Sequence, residues 1–256
     1  MPFARRIDLA VFLVGGATLA TEIAASRLLA PYFGSSTVVW ANIIGLTLAY
    51  LALGYWLGGK LADRHPQPQL LALILLVAAV ALVVTPFAGR PILDLAVRGL
   101  DAVSVGSVVG SFVAAMALFA VPVTALGAAA PFAVRLALTS VDNAGRVAGR
   151  LYAFSTAGSL VGTFLAALVA IPFAGTQRTL VATGVCVAAA ATILASPRWG
   201  VAPLAAAALL LLPAGHVKNS LYEAESQYQF IRVVQDGGVR SLELNEGVAV
   251  HSEWRR

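Results

Sequence analysis

Seven long apolar stretches run through most of the chain, divided by short breaks rich in proline, glycine and polar residues. They fall at residues 7–30, 37–59, 69–88, 104–137, 150–173, 178–195 and 199–214. A helix needs about 20 apolar residues to cross a hydrocarbon core of about 30 Å, and most of these stretches reach or approach that length. The pattern predicts an all-α polytopic membrane protein of about seven transmembrane helices, occupying residues 1–215. The fourth stretch is longer than one crossing requires and contains Pro122 and Pro131. Each proline removes a backbone donor and can kink a helix. That stretch is therefore either one broken helix or a helix followed by a re-entrant piece.

The breaks carry turn chemistry. Ala30-Pro31-Tyr32-Phe33-Gly34-Ser35-Ser36, His65-Pro66-Gln67-Pro68, Asp142-Asn143-Ala144-Gly145 and Pro172-Phe173-Ala174-Gly175 separate successive spans. After Gly215 the pattern changes. Gln229 to Val234 and Val239 to Leu244 read as two strands around an Asp236-Gly237-Gly238 turn, where glycine tolerates the positive φ a hairpin needs. A second turn at Glu246-Gly247 precedes Val248-Ala249-Val250. Residues 216–256 thus read as a short β-meander.

Composition sharpens this division. Hydrophobic residues make up 59% of the 256 and charged residues only 11%, against about 25% charged in soluble domains. The mean hydropathy is +0.86. The charged side chains crowd into the tail after Gly215. The net charge is +5, but the basic residues sit singly between apolar spans. That placement suits membrane topology and anionic headgroups, and it argues against nucleic acid as a partner. With the N-terminus inside, the inner loops hold Arg5, Arg6, Lys60, Arg64, Arg135, Arg146, Arg150 and Arg198. The outer side holds Arg90, Arg98 and Arg178, with Arg27 near a helix end. The bias favours an inside N-terminus; seven crossings then put the tail outside, and one more or one fewer puts it inside.

Arg5 and Arg6 before an apolar run resemble the start of a signal peptide. The length of the run and the spans behind it favour an uncleaved first helix. The single cysteine, Cys186, admits no internal disulfide, and a buried structural thiol is expected there. Gly54 with Gly58, and Gly158 with Gly162, have the spacing that lets membrane helices approach closely, although small residues are common in such helices anyway.

Few polar groups fall at membrane depth. Glu22 lies in the first span, where an ionisable residue usually faces protein or a cavity. It is a candidate for proton or cation handling, or for a structural pairing. Arg27, five residues on, is poorly spaced to pair with it within one helix and can snorkel to the interface. Asn42 suits an interhelical hydrogen bond. Trp40, Tyr55 and Trp56 sit near span ends, as interfacial aromatics do. No phosphate-cradling loop, nucleophile elbow or metal-ligand spacing occurs. His65, His216 and His251 all fall in polar segments. No catalytic residue, metal site or cofactor site is expected in this chain.

Two resemblances add to this reading. Gly58-Gly59-Lys60-Leu61-Ala62-Asp63-Arg64 resembles the loop between the second and third helices of major facilitator transporters. There, glycines such as Gly58 permit close contact and charges such as Asp63 and Arg64 lock a conformation. Next, three segments taken together resemble the membrane domain of prokaryotic membrane-bound spermidine synthase-like proteins. They are Glu22 through Ser36, Leu53 through Arg64 with Trp40 before it, and Gly149 through Thr163. The tail from Glu225 to Gly247 is similar to the β-rich N-terminal subdomain of polyamine aminopropyltransferases.

In that family the resemblance implies a substrate contact at Gln229, with Tyr228 packed beside it. Asn245 stands where soluble members carry an aspartate, and Glu246 is inserted before Gly247. The family's cofactor loop and catalytic aspartates lie beyond the meander, whereas this chain reaches only Trp254-Arg255-Arg256. It is therefore expected to be inactive alone, as a fragment or as one part of a split enzyme. Decarboxylated S-adenosylmethionine is implied for the whole family protein but not for this chain. The expected role is that of a membrane domain in a prokaryotic plasma membrane. It would anchor a downstream or separate transferase, or exchange its polyamine substrate or product. The alternative is a stand-alone transporter of polyamines or other small cations, with Glu22 as a contact.

Overall fold

The computed structural model describes residues 2–34, 36–100, 106–195, 207, 220–226, 229–236, 238–244 and 250–255. It contains α1 (Phe3–Phe33), α2 (Thr37–Arg64), α3 (Pro68–Leu100), α4 (Gly106–Gly127), α5 (Ala129–Ala137), α6 (Ala144–Leu165) and α7 (Ile171–Leu194). Strands β1 (Ser220–Glu225), β2 (Phe230–Asp236), β3 (Val239–Leu244) and β4 (Val250–Arg255) follow. Five helical segments are long and apolar enough to cross a membrane: Phe3–Phe33, Thr37–Arg64, Pro68–Gly89, Phe112–Ala137 and Val141–Leu194. The predicted seventh span, 199–214, lies outside the described residues except for residue 207.

The last segment is 54 residues long but is not straight. Gly175 adopts φ 83° and ψ 163° inside it, and the chain folds back there. Asp8 pairs with Arg150, and Gly16 meets Gly162 farther along both helices, so α6 runs parallel to α1. The Arg6 guanidinium, at the start of α1, donates to the carbonyls of Ile193 and Leu194 at the end of α7. The arm after Gly175 is therefore antiparallel to α1. Pro172 precedes the reversal, and a π-helical turn spans Ala166–Ala170. That turn surrounds Leu168, the residue whose carbonyl a proline four positions later displaces.

The fourth stretch resolves as one broken helix. The break falls at Gly127–Ala128, between α4 and α5, rather than at Pro122, which lies inside α4. Pro131 explains the position, because its ring excludes the carbonyl four residues back, which belongs to Gly127.

Helix α1 is the axis of the bundle. It packs against every other helix, most extensively α6 and α7. Two apolar cores stack along it. One gathers Ile7, Val11, Val14, Leu71, Phe132 and Val187. The other gathers Ala24, Leu29, Phe33, Ile43, Phe119 and Leu180. Between them lies a seam of buried threonines, one each from α1, α2, α3 and α7: Thr21, Thr47, Thr85 and Thr183.

Both glycine pairs sit at helix crossings. A Cβ on Gly54 would lie 2.2 Å from the Thr124 carbonyl oxygen, and one on Gly58 would lie 2.6 Å from Ala128 Cα. Gly158 and Gly162 meet the backbone of Phe12 and Gly16 equally closely. Their spacing places small residues where two backbones touch. Cys186, by contrast, is exposed on α7. A thiol is apolar enough to sit on the outside of a hydrophobic helix, so the buried position expected for it is not found.

The tail forms a four-stranded antiparallel sheet in the order β1-β2-β3-β4. Asp236 pairs with Val239, so the chain reverses between β2 and β3 where the turn is predicted; Gly238 lies in that turn, and Gly237 is outside the described residues. Strand β1 was not anticipated. Arg232 and Glu243 stand opposite each other on β2 and β3. They form an ion pair that is largely shielded, at 17% and 14% exposure.

Candidate functional site

Two places gather polar chemistry: the end of the bundle where the sheet attaches, and a cleft in the threonine seam.

At the first, Gly175 breaks the helix and leaves the arm beginning at Thr176 with free backbone N–H groups. A helix N-terminus carries unsatisfied donors and a partial positive charge, and it favours an anion. Glu225, the last residue of β1, supplies one. The Thr176 N–H donates to Glu225 Oε1 at 2.9 Å, and the Thr176 hydroxyl donates to Oε2. Oε1 also lies 3.4 Å from where a Cβ on Gly175 would stand. Burial pushes the Glu225 carboxyl pKa up. The two Thr176 hydrogen bonds and the nearby Arg27 charge oppose that shift without cancelling it. The carboxylate joins β1 to the bundle, and Arg27 serves this junction.

Gln229 closes the turn after β1. Its N–H donates to Ser226 Oγ at 3.0 Å, and its carbonyl accepts from the Ser226 N–H at 3.0 Å. Its backbone is thus structural, while the substrate contact implied by resemblance concerns its side-chain amide. Tyr228 lies outside the described residues.

The second place is a narrow cleft between α1, α2 and α4. Thr21, Glu22, Thr47 and Tyr50 line it with Phe119 and Val123. The Tyr50 hydroxyl donates to the Met116 carbonyl at 3.3 Å. Thr21 Oγ1 is buried without a partner. Glu22 is half-buried and has no hydrogen-bond or ion-pair partner among the described residues. Glu22 and Arg27 are not brought together. Five residues turn a helix by about 140° beyond one revolution, so the first faces this cleft and the second serves the sheet. Asn42 is half-buried on α2, next to the cleft-lining Ile43 but not itself lining the cleft.

The loop motif lies at the opposite end of the bundle from the sheet. Gly58 is buried against Ala128, and Asp63 pairs with Arg135 of α5 at 3.4 Å. Arg64 is exposed in the last turn of α2. Lys60 Nζ lies 3.8 Å from the Trp56 ring centroid.

Among the described residues, no group of three or more His, Cys, Asp or Glu side chains gathers as metal ligands would. The sequence reading missed Glu225, Thr176, Thr21, Thr47 and Tyr50. Glu225 had one visible signal, an acid closing a short β-prone run. A threonine in an apolar helix carries no such signal, because it so often bonds its own backbone. Compared with known proteins, the chain matches no family model, no curated protein and no solved structure.

Proposed function

We propose that this chain is the membrane domain of a spermidine synthase-like aminopropyltransferase, holding the opening sheet of the enzyme against one end of a helix bundle. The observation that carries this reading is the Glu225–Thr176 junction. A tail merely tethered by a linker has no need of a carboxylate buried at a helix N-terminus. This one is registered against the bundle through the two Thr176 hydrogen bonds, with the Arg27 charge nearby.

The distribution of charge adds a direction. Arg5, Arg6, Lys60, Arg64, Arg135, Arg146 and Arg150 cluster at the Arg6 end, away from the sheet. Basic residues mark the cytoplasmic side of a bacterial membrane, so the sheet lies on the opposite side. A transferase there receives its substrates across the membrane, which gives the bundle an exchange role besides anchoring.

The test compares membranes carrying this chain with membranes carrying it together with whatever coding sequence the genome holds downstream of it. Aminopropyl transfer from decarboxylated S-adenosylmethionine to putrescine is expected only with the longer product. Transfer by the present chain unaided, or none by either, defeats the reading.

A further inference from the structure

We propose that the cleft between α1, α2 and α4 is a binding site for one small monovalent metal cation. The Glu22 carboxylate holds it, with the hydroxyls of Thr21, Thr47 and Tyr50 around it. The site stands apart from the anchoring role and does not depend on it.

The seam threonines provide an internal comparison. Thr85 donates to the Ala81 carbonyl at 2.8 Å, and Thr183 to the Leu180 carbonyl at 2.7 Å. Such bonds within a helix are the usual way a buried threonine is satisfied. Thr21 departs from the pattern. It is 1% exposed, its Oγ1 has no partner, and it borders the cleft beside Glu22. Buried polar atoms are rarely left unpaired, and an orphan calls for an unseen partner.

The nature of that partner follows from charge and size. No lysine, arginine or histidine lines the cleft, and Arg27 is engaged at the sheet junction. An ionised carboxylate at this depth needs one positive charge beside it. The bordering donors are all oxygens, which suit hard cations. A single carboxylate balances a monovalent ion and leaves a divalent one uncompensated. The free space holds about one water molecule, which fits Na⁺ and leaves no room for a polyamine chain. The proton is the natural competitor, since it neutralises the same carboxylate.

Thermal unfolding of the purified chain in detergent tests the site. NaCl is compared with choline chloride at equal ionic strength and mildly alkaline pH. Na⁺ is expected to raise the Tm, with an apparent affinity that falls about tenfold per pH unit once protonation competes. Glu22→Gln abolishes the Na⁺ effect, and Thr21→Val weakens the affinity severalfold while leaving the fold intact. Infrared spectroscopy supplies a second reading. Lowering the pH protonates Glu225 and other carboxyls as well, so the Glu22 band is taken as the difference between the parent chain and Glu22→Gln, and Na⁺ is expected to remove that difference band. The absence of any Na⁺ effect, an equal effect in all variants, or a Glu22 difference band that Na⁺ leaves in place each overturns the site.

Discussion

Gly158 of α6 meets the backbone of Phe12 in α1 so closely that a Cβ on the glycine would stand 2.0 Å from the Phe12 carbonyl oxygen. No real side chain tolerates that distance, so the two helices would have to separate. Gly158→Ala is expected to lower stability by about 1–3 kcal/mol, the usual cost of overpacking. Thermal unfolding in detergent measures it. Gly149→Ala, on the same helix with open space at its Cβ, serves as the control and should leave the Tm unchanged or slightly raised.

The sheet junction should respond to pH through Glu225. Burial raises its pKa in the docked state, so docking binds more proton than the undocked tail does. Docking is then strongest below the ordinary glutamate range, and it weakens as pH rises through the elevated docked value. The protection of residues 220–225 and 230–236, corrected for the intrinsic pH dependence of amide exchange, should fall as pH rises above the ordinary glutamate range. Glu225→Gln should flatten that dependence. Glu225→Ala should lower that protection, by roughly 0.5–1.5 kcal/mol for each hydrogen bond to Thr176 that is lost, and should leave the bundle protected.

Two ion pairs at the Arg6 end have equal lengths and unequal surroundings. Asp63 is 76% exposed beside Arg135, whereas Asp8 is 13% exposed beside Arg150. Arg135→Ala frees a carboxylate that water already reaches, and it should cost less than about 1 kcal/mol. Arg150→Ala strands a shielded carboxylate at the α1–α6 contact. It should cost more, about 1–3 kcal/mol after allowing for the half-exposed arginine. Equal losses of Tm in the two variants would contradict this assignment.

The sides of the membrane can be read by labelling. The start of α1 and the sheet lie at opposite ends of the bundle. In a Cys186→Ser background, Pro2→Cys and Ser252→Cys should react with a membrane-impermeant maleimide from opposite faces of oriented vesicles. Labelling of both from one face would break the proposed topology.

Much of this architecture was legible in the order of apolar and polar residues. The spans through α3 needed only length and hydropathy, and the Asp236-Gly237-Gly238 signal marked where the chain reverses between β2 and β3. The break in the fourth stretch was harder to place. A proline acts on the carbonyl a turn before it, so Pro131 leaves its mark at Gly127. Strand β1 escaped notice because Ser220-Leu221-Tyr222-Glu223-Ala224-Glu225 has no regular alternation. Its pairing with β2 carries a bulge. The site residues were less legible still. The importance of Glu225 depends on a helix N-terminus 49 residues earlier, and Thr21 differs from Thr85 and Thr183 only in lacking a hydrogen bond.

The central position of α1 also bears on how the chain is made. Gly15 accepts a hydrogen bond from Ser159, 144 residues later. At synthesis rates of about 5–20 residues per second, α1 waits roughly 7–30 s for its principal neighbour. During that interval its glycine face is presented to lipid, to the insertion machinery or to temporary contacts with helices made before α6. The helix that organises the finished bundle is thus the one longest without its final partners. The seconds around translation are when a substitution at Gly15 or Gly16 would do most harm.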